Sequence, residues 1–163
     1  MNKERARGAQ RSAEEVLAIH DVVVRYGYVI DDRAWDRIDE VFTHDAVVDY
    51  RDQGTNPPSG VAPIVGRDEI EHYFRDVFTH PYQHMIVNHQ IEDVSDDEVI
   101  VRSKALCPMP GRVIVDLEYH DVVVRTPVGW RVRHKSVKRY NRDPSPWAAE
   151  QLAVWKSRGA HVV

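Results

Sequence analysis

The stretch Arg25-Tyr26-Gly27-Tyr28-Val29-Ile30-Asp31-Asp32-Arg33-Ala34-Trp35 ends one amphipathic helix, starts another, and puts two phenols and a carboxylate at the join. Glycine inside a helix costs about 1 kcal/mol relative to alanine, so Gly27 marks either close helix-to-sheet packing or a group that must approach the backbone. Upstream, Ser12 with Glu15 reads as a capping box that starts the first helix near Ala13. Val16, Ile19, Val23, Tyr26 and Ile30 then recur in alternating steps of three and four, the buried stripe of such a helix. Tyr26 therefore points to the core, while Leu17, Val24, Tyr28 and Asp31 form a neighbouring stripe. On a continuous helix Tyr26 and Asp31 project about 140° apart, so they meet only if the helix ends before Asp31. Tyr28 is otherwise the partner. Downstream, Trp35, Ile38, Val41 and Phe42 predict a second, shorter helix, with Asp31 or Asp32 placed to cap it.

Beyond this join, Ala46 to Asp49 reads as a strand ending at Tyr50, followed by a loop dense in turn formers through Gly60. Gly66 precedes a third helix carrying Ile70, Tyr73, Phe74, Val77 and Phe78, and Pro81 breaks it. The segments His84 to Val94, Val99 to Cys107, Arg112 to Arg125 and Trp130 to Tyr140 read as strands joined by short turns, which favours antiparallel neighbours. The expected class is α+β: three N-terminal helices packed on a curved, mostly antiparallel sheet, with a cavity between the layers. Residues 1–12 form a polar leader expected to be disordered, 13–142 the domain, and 143–163 an extension whose Trp147, Leu152 and Trp155 suggest a short helix.

The chain has 163 residues, 42% hydrophobic and 29% charged, with a net charge of -4, which fits one domain. The acidic excess offers no footprint for nucleic acid. Cys107, the single cysteine, precludes an internal disulfide and suits a reducing compartment. There is no membrane-length apolar run and no apolar signal core, so a cytoplasmic location is expected.

Strand alternation places His84, Ile86 and Asn88 on one face and Met85, Val87 and His89 on the other. His84, opening its strand, suits a base at the mouth of the cavity. In the next-to-last strand Ile114, Asp116, Glu118, His120 and Val122 share one face, so Asp116 meets either solvent or a polar cavity. The opposite face, Val113, Val115, Leu117, Tyr119 and Val123, is nearly continuous in apolar residues and is expected to form an interface between copies, hence a homo-oligomer. The last strand is polar on both faces. His80 and His84 have ligand-like spacing, but Pro81 between them breaks any shared helix face, so no metal site is expected. No phosphate loop, nucleophile elbow or activated-thiol signature occurs, and no cofactor is expected.

The segments Arg25-Tyr-Gly-Tyr-Val-Ile-Asp31, Ala34-Trp-Asp-Arg-Ile and Val41-Phe-Thr-His-Asp-Ala-Val-Val-Asp-Tyr50, with His84, Asn88 and Gly129-Trp-Arg-Val132, resemble SnoaL-like proteins of the nuclear transport factor 2-like superfamily. The resemblance covers residues 13 to 142 and implies a cone-shaped α+β barrel. Within that superfamily the pattern is nearest to scytalone dehydratase and the bile acid 7α-dehydratases, which remove water from a hydroxylated ring ketone without a cofactor. By this resemblance Tyr26, Asp31, His84 and Asp116 are catalytic, and Tyr50 and the more weakly matched Arg139 bind substrate, with Tyr28 and Asn88 beside them. A tyrosine stands directly before the helix-end aspartate of scytalone dehydratase, where this chain has Ile30, so that enzyme's substrate water network does not transfer. The implied partners are a small hydrophobic cyclic substrate and further copies of the chain, as a trimer or dimer. His84, oriented by Asp31 or Asp116, would take the proton beside a carbonyl while a tyrosine steadies the oxygen. Isomerisation, polyketide cyclisation, or a non-catalytic role as a ligand-binding protein or oxygenase small subunit are the alternatives on the same fold.

Overall fold

The computed structural model describes residues 11–50, 62–78 and 80–139, together with Ala153. The loop after Tyr50, most of the leader and, apart from Ala153, the C-terminal extension with its expected helix lie outside the described residues. Helix α1 (Ala13–Asp31) starts at the expected capping box: Ser12 Oγ accepts the Glu15 amide at 3.2 Å, and the Glu15 carboxylate accepts the Ser12 amide at 3.4 Å. Its buried stripe includes Ile19, Val23, Tyr26 and Ile30. Arg11, assigned to the leader by sequence, is instead tied to the body through Asp93 and the carbonyls of Ser95 and Asp96.

A 3-10 turn (Trp35–Glu40) follows, shorter than the helix expected there, and strand β1 (Phe42–Asp49) starts correspondingly earlier. Strand β2 (Ile64–Val65) leads into α2 (Arg67–His72), which continues as a π turn through Val77. The meander is β3 (Met85–Ser95), β4 (Glu98–Met109), β5 (Val113–Thr126) and β6 (Gly129–Arg139). One six-stranded sheet results, ordered β2-β1-β6-β5-β4-β3. Every pairing is antiparallel except β1 with β6, which is parallel and so needs the rest of the domain as its crossover. The layers are helices on the concave face of a curved sheet, the α+β class expected.

Two irregularities decide which side chains face inward. On β3, two residues, Asn88 and His89, sit opposite Ser103 alone, and Asn88 has a left-handed φ of 56°. On β6, an extra residue at Arg133 shifts the register against Val122 and Val123. A bulge of one residue exchanges the two faces for the rest of the strand. Trp130 and Val132 are therefore buried before the β6 bulge, and Lys135 and Val137 after it.

The apolar face of β5 is not an outer interface. Val115 and Leu117 pack against the core and Tyr119 is fully buried, all on the concave side beneath the helices, so the ground for inferring an oligomer from this face is removed. Among the described residues no helix is long and apolar enough to cross a membrane.

Candidate active site

Helix α1 reaches the opposite edge of the sheet at its C-terminus, and Gly27 permits that approach. A Cβ there would stand 3.2 Å from the His84 carbonyl oxygen and 3.6 Å from His84 Cβ. Of the two readings of this glycine, close packing is what is seen, and its consequence is to seat His84. One turn further along, Asp31 accepts two hydrogen bonds from that residue: the backbone N–H at 2.8 Å and the ring Nδ1–H at 2.6 Å. A carboxylate can only accept, so the proton belongs on Nδ1 and Nε2 is the ring nitrogen left with a lone pair for the cavity. The pair is largely removed from water, with side-chain exposures of 4% for His84 and 18% for Asp31. Asp31 is thus no cap for the next turn, whose first position has no side-chain capping bond.

His84 borders a cavity of about 200 Å³ between α1 and the sheet. Its polar lining is the phenols of Tyr26, Tyr50 and Tyr119 with the Cys107 thiol, and Phe78, Leu117 and Val137 add apolar wall. Tyr26 meets the His84 ring edge-on at 5.4 Å, and its hydroxyl is hydrogen-bonded to that of Tyr50. The Tyr119 hydroxyl lies 4.0 Å from Cys107 Sγ. Burial pushes all three phenols well above the ordinary tyrosine pKa, so at neutral pH they are neutral hydrogen-bond donors. Burial likewise raises the Cys107 thiol to about 11, which rules it out as a thiolate nucleophile near neutrality.

The structure brings Tyr26, Asp31, His84 and Tyr50 together and leaves the other candidates elsewhere. Helix α1 does not end before Asp31, so Tyr26 and Asp31 never need to touch; His84 bridges them. Tyr28 is 65% exposed and lines an outer groove with Asp31 and Met85, not the cavity. The β3 bulge exposes Asn88 and turns His89 inward instead, against His20 at 4.9 Å. Asp116 stands opposite the exposed Leu106, on the face of β5 turned away from the cavity-lining Val115 and Leu117. Arg139 pairs with Leu117 through its backbone, and its side chain is outside the described residues. His80 has its Nε2 engaged by the Phe74 carbonyl.

Sequence reasoning missed an ion pair under the site. Lys135 and Asp121, cross-strand neighbours on β6 and β5, are both 0% exposed, with Lys135 Nζ 3.0 and 3.1 Å from the carboxylate oxygens. The available signal was Asp121 itself, the one charge interrupting the apolar face of β5, and a lysine at matching depth in the next strand.

A family model described as the SnoaL-like domain matches residues 11–136. An uncharacterised protein of Mycobacterium tuberculosis is 33% identical over 127 residues, covering 71% of this chain and 79% of that protein. Among solved structures, a provisionally named scytalone dehydratase of Novosphingobium aromaticivorans superposes with a TM-score of 0.63 at 22% identity, covering 78% of this chain and 85% of that one. A hexachlorocyclohexane dehydrochlorinase of Novosphingobium barchaimii superposes with a TM-score of 0.65 at 18% identity, covering 78% and 88%. At these identities the structural likeness is one of fold.

Proposed function

We propose that this chain, which belongs to the SnoaL-like family, is a cofactor-independent carbon–oxygen lyase that removes water from a β-hydroxy carbonyl or similar hydroxylated alicyclic substrate. One observation carries the reading: a histidine whose Nδ1–H is held by a carboxylate at 2.6 Å stands at the wall of a cavity lined by neutral phenols. His84 Nε2 takes the proton next to the carbonyl, and Asp31 holds the ring in place and offsets the charge it acquires. Tyr26 and Tyr50 donate to the oxygen on which negative charge develops, a contact worth most in the transition state. The carbon–carbon double bond then forms as the C–O bond breaks, and protonated His84 returns its proton to the departing hydroxyl, which leaves as water. The names of the two structural neighbours, a dehydratase and a dehydrochlorinase, both denote eliminations, which supports the class of reaction without fixing the leaving group.

A cavity of about 200 Å³ has room for a substituted ring, given that an apolar cavity of ~150 Å³ holds benzene. The test is turnover on a panel of cyclic β-hydroxy ketones, with mass spectrometry reading the loss of one water. That loss separates elimination from isomerisation or cyclisation. His84→Ala lowers the rate by about 10²- to 10⁴-fold while the melting curve stays cooperative. Near-normal turnover in that variant removes His84 from the chemistry.

A further inference from the structure

Lys135 occupies a place that stability alone does not explain. Its ammonium is fully buried beside Asp121, yet a buried ion pair seldom stabilises a fold more than an apolar pair of the same size. The surroundings on that face, Tyr119, Val123 and Val137, are those of an ordinary core. What distinguishes the position is its neighbours: Lys135 Nζ lies 4.1 Å from the centre of the Tyr26 ring and 3.8 Å from the centre of the Tyr119 ring. Both hydroxyls belong to the cavity lining, whereas Lys135 itself does not reach the cavity.

We propose that Lys135, paired with Asp121, acts through the Tyr26 and Tyr119 rings to favour an oxyanion in the cavity, and is therefore a positioning residue of the site. A phenol that donates to a developing enolate takes part of the negative charge into its ring, and a cation against the ring face favours that distribution. The effect is undiluted because the cation is shielded from water. Asp121 supplies the complement. Burial lowers the Lys135 pKa and raises that of Asp121, and the attraction between the two charges opposes both shifts. The other titratable groups acting on this cluster are Cys107, Tyr50, His89, His120 and His134, and none of them is an anion at neutral pH, so Asp121 is the carboxylate that faces the cation. The proposal rests on the elimination reading in one respect, that negative charge develops at the phenol end of the cavity.

The probe is para-nitrophenol, an oxyanion analogue whose absorbance reports how much of the bound molecule is ionised. Wild-type protein binds the phenolate in preference to the neutral phenol. In Lys135→Met/Asp121→Asn, which removes both charges without stranding either, the ionised-to-neutral ratio of the bound probe falls about tenfold, the equivalent of one pH unit. An unchanged ratio overturns the proposal. If Tyr26→Phe abolishes the preference while the double variant retains it, the oxyanion seat stands and the part of Lys135 falls. If wild-type protein shows no binding or no preference, the oxyanion reading of the cavity falls with it. A second measurement needs no substitution: the nitrogen NMR resonance of Lys135 Nζ in wild-type protein moves when nitrophenolate binds, and a resonance that stays put overturns the proposal even if the double variant does not fold.

Discussion

Replacing Gly27 by alanine separates stability from activity. The new Cβ would stand 3.2 Å from the His84 carbonyl oxygen and 3.5 Å from Ile86 Cδ1, so the carbonyl must retreat by a few tenths of an ångström. Alanine gains about 1 kcal/mol over glycine in the helix, and crowding of a packed contact costs on the order of 1 kcal/mol, so the two largely cancel. The melting temperature should move by no more than about 2–4 °C. Function has no such compensation. The residue being pushed by position 27 is the one held by Asp31, so the substitution pushes His84 away at its carbonyl while Asp31 retains its N–H and ring. With misplacement of 1 Å costing ~10²-fold, a displacement of a few tenths should lower turnover by roughly tenfold. The assay combines thermal melting, turnover on the hydroxy-ketone panel, and the low-field proton resonance of the His84 Nδ1–H, which should shift as the hydrogen bond to Asp31 is strained. A variant that melts higher by about 2–4 °C with turnover and resonance unchanged would show that Gly27 does not set the place of His84.

Two further outcomes test the electrostatics away from the cavity. Burial pulls the Glu118 pKa upward, but hydrogen bonds from Lys104, Arg102 and His120 outweigh it and bring it from 4.5 down to about 2. The native state is therefore favoured by this carboxylate above pH 4.5 and loses that contribution as pH falls from 4.5 to about 2, so the stability gap between wild type and Glu118→Gln should close over that window in urea titrations. A gap that is constant with pH contradicts the assignment. Asp121→Asn strands a buried ammonium and should cost about 3–5 kcal/mol, most of it regained in Lys135→Met/Asp121→Asn. Chemical denaturation reads both, and a double variant no more stable than the single would show that the two side chains are not coupled.

Much of this architecture is legible in the sequence because it is local. Ser12 and Glu15 announce the start of α1, the stripe through Tyr26 and Ile30 fixes its buried face, and turn residues mark off the four strands of the meander. His84 could be picked out by its place at the start of a strand, and Asp31 by the family pattern. What failed did so where alternation was assumed to be unbroken. Asn88 was assigned inward and His89 outward, and one left-handed residue reversed both. Asparagine is among the few types that accept this conformation readily, so its identity was the clue, but a clue is not a prediction. The bulge at Arg133 in the same way decides that Lys135 faces the core, and nothing nearby in the chain signals it. The family resemblance carries Asp116 to the site, and the pleat turns it to the other side of the sheet. The parallel pairing of β1 with β6 depends on register between distant segments, which periodicity does not encode.

The partners Asp31 and His84 are 53 residues apart in the chain, one on a helix and the other at the sheet's far edge strand. A refolding molecule can complete its entire β-meander, and display nearly all of its final backbone signature, while its proposed base still lacks an orienting anion. Turnover regained on refolding should therefore report the docking of α1 onto β3, which strand pairing alone does not supply.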